Sequence, residues 1–364
     1  MRSSVPESSS FDPMAEASDF QLRKPLLRCK VSSQTMKLTI NEIAEIAHVA
    51  KSTVSKALNG QKGVSDEKRK QILELAEQLQ YEPSASAQAL AFSKTGTIGL
   101  LLPHEAGYSL SGAYWSAIIT SVAQAANAHS YSLMILTPSS DDDISAPVET
   151  VIRRRNVDGL IIGAEQLDPA ITSRLIEEEI PFVFIGRNAQ IQHYSVDVDN
   201  KGGSDRLVSH MIGEGYRKIV CLSGPASYLY TQERVEGYRS ALARAGIAWN
   251  AVEYTSYSIE ATRDMMARII SLYPDMDALY VTAGGDFLLD CIDLLRLSGI
   301  NLHKFGIGTF DDYRFFDYLS LPICTIRQPL KDIGSKAAEL LFTFLSGSVP
   351  EQMNYILDVD LVLR

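Results

Sequence analysis

"TINEIAEIAHVAKSTVSKALNG", residues 39–60, decides how the front of this 364-residue chain is read. Thr39 and Glu42 stand three apart, the spacing at which each side chain satisfies a free backbone N–H at a helix start. Ile40, Ile43, Ala44 and Ala47 then fall on one helical face. After the three-residue break His48-Val49-Ala50, Val54, Ala57 and Leu58 repeat that spacing, and Asn59-Gly60 stops the second helix. A third helix begins near Ser65 and carries Ile72, Leu75, Ala76 and Leu79 on one stripe. Three short helices on one small core make a helix-turn-helix unit, over residues 37–82. In such a unit the second helix enters the major groove, its first residues facing base edges. That places Lys51, Ser52 and Lys56 outward as base readers, with Thr53 and Ser55 as short donors suited to phosphates. An ordinary helical hairpin with a solvated polar face has the same pattern, so both readings stand at this point.

Upstream, residues 1–36 are rich in Ser, Pro and polar residues without a period, and read as a disordered extension or tag. The whole chain is 46% hydrophobic with a formal net charge of −10. That charge is uneven. Residues 37–94 hold 8 basic against 7 acidic side chains, whereas residues 95–364 hold 21 against 33. A near-neutral head on an acidic body fits a DNA reader joined to a part that stays off DNA. No apolar run is long enough to span a bilayer, and the first 35 residues lack the apolar stretch of a secretory signal. Cys29, Cys221, Cys291 and Cys324 are far apart with no CxxC pair, which suits a reducing cytoplasm. The expected location is therefore cytoplasmic and nucleoid-associated.

"YEPSASAQALAFSKTGTIG" (81–99) joins head to body, with residues 83–96 as hinge and linker. Its helix propensity covers too few turns for stability in isolation. It reads either as a flexible linker or as a helix that orders on DNA and inserts Leu90 as a minor-groove wedge. From Thr97 short apolar strands alternate with helical stretches: "IGLLLP", "YSLMIL", "DGLIIG", "PFVFIG", "KIVCLSG", "ALYVT", "FGIGTF" and "ICTI". Alternation of this kind predicts parallel sheets with helices on both faces, and the length predicts two α/β subdomains. The final "NYILDVDLVLR" reads as one strand. There is no GxSxG elbow, HExxH pair or phosphate-cradling GxxxxGK, so no enzyme is expected and no metal or cofactor.

These segments together resemble the lactose- and galactose-repressor family of bacterial transcription regulators. The resemblance runs from Leu38 to the C-terminus and is most specific across residues 38–90. It implies a small all-α helix-turn-helix domain followed by an α/β periplasmic-binding-protein-like core of two parallel-sheet subdomains. It further implies Lys51, Ser52 and Lys56 as base readers and Leu90, beside Gln88, as the hinge contact with DNA. Partners implied are a palindromic double-stranded operator, a second copy of the chain as homodimer, and a small-molecule effector, but no membrane. The implied core, residues 97–364, has an N-subdomain of about 97–198 and 311–326 and a C-subdomain of about 199–310 and 327–364. Arg234, in an arginine–x–x–Gly–aromatic pattern, corresponds to the family's effector-gripping arginine. Asp286 follows a strand's end, where open α/β sheets bind ligands. Tyr114, Trp115, Tyr228, Tyr230, Tyr257 and Phe310 are the candidate stacking surfaces, and Arg187 and Asp199 either touch the effector or brace the hinge. A sugar or sugar derivative is the expected effector. A purine or nucleoside, or control by a protein corepressor, is the alternative. Four residues depart from the family pattern: His48 in the turn, Ala50 before the second helix, and Ser84 with Gln88 in the hinge.

Overall fold

The computed structural model describes residues 39–58, 62–79, 81, 94–103, 112–140, 143–188, 190–282 and 284–364, apart from the side chains of residues 285 and 286. The expected helix stop at Asn59-Gly60 and the hinge residues Ser84, Gln88 and Leu90 lie outside the described residues. Two units divide the chain, Met1–Pro83 and Ser84–Arg364.

The head contains α1 (Ile40–Ile46), α2 (Lys51–Leu58) and α3 (Asp66–Gln78). The capping box forms: Thr39 N–H donates to Glu42 Oε2 at 2.6 Å, and Glu42 N–H to Thr39 Oγ1 at 3.4 Å. Ser65 caps α3 through the Lys68 N–H. Ile43, Ala44, Val54, Ala57, Ile72 and Ala76 are buried together, with Leu58, Leu75 and Leu79 packed against them. His48 makes the turn at φ +52°, a left-handed conformation that histidine tolerates better than most side chains. The Ala50 carbonyl accepts the Thr53 N–H at 2.8 Å, so Ala50 occupies the cap position without a capping side chain.

The second unit carries two six-stranded sheets. Its elements begin with β1 (Thr97–Leu101), α4 (Ala113–Ala128), β2 (Ser132–Leu136), α5 (Ser145–Arg154) and β3 (Gly159–Ile162). Next come α6 (Pro169–Glu177), β4 (Phe182–Ile185), β5 (Ser195–Val198), α7 (Asn200–Gly213) and β6 (Ile219–Ser223). The chain continues through α8 (Leu229–Arg244), β7 (Ala251–Tyr254), α9 (Ile259–Leu272), β8 (Ala278–Val281) and α10 (Gly285–Leu297). It ends with β9 (Gly306–Phe310), a 3-10 turn (Arg314–Tyr318), β10 (Ile323–Arg327), α11 (Leu330–Leu345), β11 (Asn354–Leu357) and β12 (Asp360–Leu363). One sheet runs β11-β5-β4-β3-β1-β2 and the other β12-β10-β9-β8-β6-β7. The only antiparallel pairing among them is β10 with β12.

Three expectations need correction. The subdomains divide differently: β10 pairs with β9 in the second sheet, so the expected transfer of 311–326 to the first subdomain does not occur. Residues 330–357 return to the first subdomain instead. Gly334 lets α11 approach α4 so closely that a Cβ there would sit 2.1 Å from Ser121 Oγ, and Leu341 packs on Gly159 of β3. The terminal run is two strands, not one. It breaks at Asp358-Val359, where Val359 is buried and the Arg206 guanidinium donates to Asp358 Oδ1 and to the Val359 carbonyl. The alternating residues continue through this break, so no local signal marks it. Finally, β5 and β7 are strands of only four residues each that were not among those expected. The chain consequently crosses between subdomains at 198–200, 327–330 and 357–360.

Candidate functional site

The carboxyl ends of strands from both sheets face one cleft of about 150 Å³. A buried water needs about 10–15 Å³ by this measure, so the space suits a small organic molecule rather than a lone ion. Its walls come from the segments after β1, β3 and β4 on one side and after β6, β8 and β9 on the other. Both sheets reverse strand order here, between β1 and β3 and between β6 and β8, which leaves a crevice that adjacent loops do not fill.

Arg234 sits two turns into α8 and is buried, 6% exposed. Its Nε donates to Asn200 Oδ1 at 2.9 Å and its Nη1 to the Thr282 carbonyl at 2.8 Å. The guanidinium carbon lies 3.7 Å from the Phe310 ring centre and 4.9 Å from that of Tyr230. Two arms and one face of the fork are therefore fixed by the protein, and among the described residues Nη2 has no hydrogen-bond partner. A prepositioned donor in a cleft costs little ordering entropy when a ligand oxygen takes it.

Acceptors surround that donor. Asp197 on β5 accepts Arg187 Nε at 2.8 Å and Asn200 Nδ2 at 3.1 Å. Because Asn200 also accepts from Arg234, these hydrogen bonds run continuously from the first subdomain to the second. Asp311, immediately after β9, is 8% exposed and holds φ +84°, which turns its carboxylate into the cleft against Gln328 Nε2. Glu165, after β3, accepts the Leu229 N–H at 3.0 Å from the facing subdomain. Burial first, and the Asp197 charge second, push the Glu165 carboxyl up to about 8.

Aromatic side chains close the walls. Tyr114 and Trp115 meet edge to face at 5.2 Å between ring centres. Trp115 lies so close to Gly163 that a Cβ there would be 2.2 Å from its ring. Tyr228, Tyr230 and Tyr257 stand together opposite, with the Tyr230 and Tyr257 hydroxyls hydrogen-bonded. Burial, and then the Asp311 charge, raise the Tyr114 phenol, which keeps it a neutral donor.

The expected site residues separate into groups. Tyr114, Trp115, Tyr228, Tyr230, Tyr257 and Arg234 line the cleft. Phe310 is fully buried beneath Arg234 and acts as its shelf. Arg187 does not line the cleft; it spans Asp197 and Glu233 and so ties the two subdomains. Burial opposes its charge, but those two carboxylates outweigh it and raise its pKa. Asp199 caps α7 through the Gly202 N–H at 2.8 Å. Asp286 falls in the first turn of α10, and its side chain lies outside the described residues. Glu165, Asp197, Asn200, Asp311, Tyr313 and Gln328 line the cleft without having been singled out from sequence. Four of them lie in two short stretches, "VDVDN" at 196–200 and "TFDDY" at 309–313. In the head, α2 presents Lys51, Ser52 and Lys56 to solvent, half-buries Thr53 and Ser55, and buries Val54 and Ala57.

Comparison with known proteins agrees with this geometry. Residues 39–84 match the family described as bacterial regulatory proteins, lacI family. Residues 95–288 match the periplasmic binding proteins and sugar binding domain of the LacI family. The transcriptional regulator CelR of Thermobifida fusca is 26% identical over 333 residues, which cover 90% of this chain and 97% of CelR. Catabolite control protein A of Streptococcus mutans is 26% identical over 327 residues, with 88% and 95% covered. A solved CelR–cellobiose complex superposes with a TM-score of 0.68 at 25% identity, covering 90% of this chain and 99% of that one. The Lac repressor dimer bound to operator shares the fold with a TM-score of 0.74 at 23% identity, covering 89% and 97%. With a groove-reading head, a two-sheet core and matches along both, the chain belongs to the LacI family of DNA-binding bacterial transcriptional regulators.

Proposed function

We propose that this regulator is a homodimeric repressor whose affinity for a palindromic operator is switched by a carbohydrate bound in the cleft. One recognition helix covers half of a palindromic site, so a second copy supplies the other half. Lys51, Ser52 and Lys56 are the proposed base readers, and Thr53 and Ser55 the proposed phosphate contacts. The observation that carries the effector reading is Arg234. A buried fork whose Nη2 has no partner among the described residues, flanked by the Asp197 and Asp311 carboxylates and by Trp115 and five tyrosines, matches a ring bearing adjacent hydroxyls. Asp286, on the same rim, is proposed as a further contact. The cellobiose held by the CelR structure supports a sugar as the ligand class. The chain acts by binding alone, as a cytoplasmic protein on nucleoid DNA. Among its described residues no helix is long and apolar enough to cross a membrane.

A thermal-shift panel of mono- and disaccharides, sugar phosphates and nucleobases tests the reading. We expect a neutral sugar to raise the melting temperature and Arg234→Ala to abolish that rise. Stabilisation by nucleobases alone, or an unchanged sugar response in Arg234→Ala, overturns it.

A further inference from the structure

Glu165 is a lining carboxyl whose surroundings suit a charge poorly. It follows β3 in the first subdomain, yet its Oε2 accepts the N–H of Leu229, the first residue of α8 in the second. Its other oxygen lies against Gly186, where a Cβ would stand 3.1 Å away. Among the described residues it forms no ion pair. The charged groups around it are Asp197 on β5 and Glu233 and Arg234 on α8, with the phenols of Tyr114 on α4 and Tyr230 on α8. Arg234 is already shared with Asn200 and Thr282, and Arg187 with Asp197 and Glu233. Arg234 keeps an uncompensated charge, because both of its bonded acceptors are neutral, and so favours an ionised Glu165.

We propose that Glu165 is a proton-dependent clasp of the effector site, whose uncharged carboxyl fastens the segment after β3 to the start of α8 and whose ionisation releases it. The proposal rests on reading the cleft as the effector site, but the clasp itself belongs to the ligand-free chain. An ionised carboxylate accepts the Leu229 N–H more strongly and is attracted by Arg234, and both favour charge. Loss of water and the Asp197 charge act against it and prevail.

Three crossover segments join the subdomains, the arrangement in which hinge closure around a ligand occurs. Opening returns Glu165 to water and to its ordinary value of 4.5, while the closed cleft holds it near 8. Closure therefore takes up a proton between those values. The sign follows from linkage: the closed form is favoured at low pH and loses that advantage as pH rises through about 8. Within the window the open-to-closed ratio rises by up to about tenfold per pH unit. A neutral effector that needs the closed cleft binds with one proton and weakens as pH rises.

The test uses the full chain without ligand. Spin labels are placed at Ile176→Cys on α6 and Leu297→Cys on α10, both exposed, in a Cys29→Ser background and diluted with unlabelled protein. Cys221, Cys291 and Cys324 are buried. Dipolar distances are read from pH 5.5 to 8.5. We expect the longer-distance population to grow with pH in the parent and to stay small in Glu165→Gln, which keeps an acceptor for Leu229 and cannot ionise. A pH-independent distance in the parent, or the same pH response in Glu165→Gln, overturns the clasp. Carboxyl-carbon NMR of the unsubstituted chain gives a second reading. A glutamate titrating near 8 supports the proposal, and none above pH 6 overturns it. Failure of the sugar panel with an intact pH response would reject the sugar reading and leave the clasp standing.

Discussion

Arg234 is held by one acceptor on each of two nitrogens, Asn200 Oδ1 and the Thr282 carbonyl, over the face of Phe310. A lysine keeps the charge but has no planar fork, so it cannot serve both acceptors and still aim a third donor at a ligand. We expect Arg234→Lys to fold, to lose about 1–3 kcal/mol in urea denaturation, and to bind the effector at least tenfold more weakly by calorimetry. Full affinity in that variant would show that the fork is not the gripping element. The legibility of the site follows the same distinction between pattern and context. Arg234 was found because "RVEGY" is a pattern. Glu165, in "GAEQLDP", looks like any solvated loop acid until β3 and α8 enclose it. In "TFDDY" two adjacent aspartates look equivalent. Only the left-handed backbone at 311 turns Asp311 into the cleft, while Asp312 pairs with Arg327 and Arg364.

Short elements show where local signals suffice. The head's helices were legible because caps and 3.6-residue periodicity act within a few residues: Thr39 and Ser65 both cap as their sequences suggest. The eight expected strands were legible from continuous apolar runs, which buried parallel strands require. Four-residue "SVDV" and "AVEY" carry too few apolar positions for that signal, and their strand character comes from neighbours already in register. The assignment of β10 and α11 to opposite subdomains depends on long-range packing and is invisible locally. One element is less well finished than its neighbours. Ala50 caps α2 with its backbone alone, so among the described residues the first N–H groups of this helix have no side-chain acceptor. Ala50→Ser adds one, worth about 1 kcal/mol. Hydrogen exchange across Lys51–Leu58 in the full chain should slow by roughly fivefold if opening of α2 governs exchange there. Unchanged exchange would mean that the Ser hydroxyl does not reach the Ser52 or Thr53 N–H.

At the scale of the whole chain, the distribution of charge decides what can hold DNA. Residues 95–364 carry 33 acidic against 21 basic side chains, and residues 37–94 only 8 basic against 7 acidic. Bulk attraction to a polyanion is therefore absent, and the electrostatic part of binding has to be local. The sequence of α2, KSTVSKAL, concentrates it: two lysines and no acid in eight residues, both lysines exposed. The helix N-terminus adds partial positive charge at the same end as Lys51. Each lysine that displaces counterions from DNA contributes roughly 0.9 to the slope of log affinity against log salt concentration. In a homodimer on a two-fold site, Lys51→Ala removes one such charge from each head. We expect its slope to be shallower by about 1.8, measured by fluorescence anisotropy on an operator duplex at several salt concentrations. Affinity at low salt should fall more than affinity at high salt, because the lost term is the screened one. A slope equal to the parent's would place Lys51 away from the phosphates. A change of about 0.9 would instead mean that only one head of the pair engages DNA.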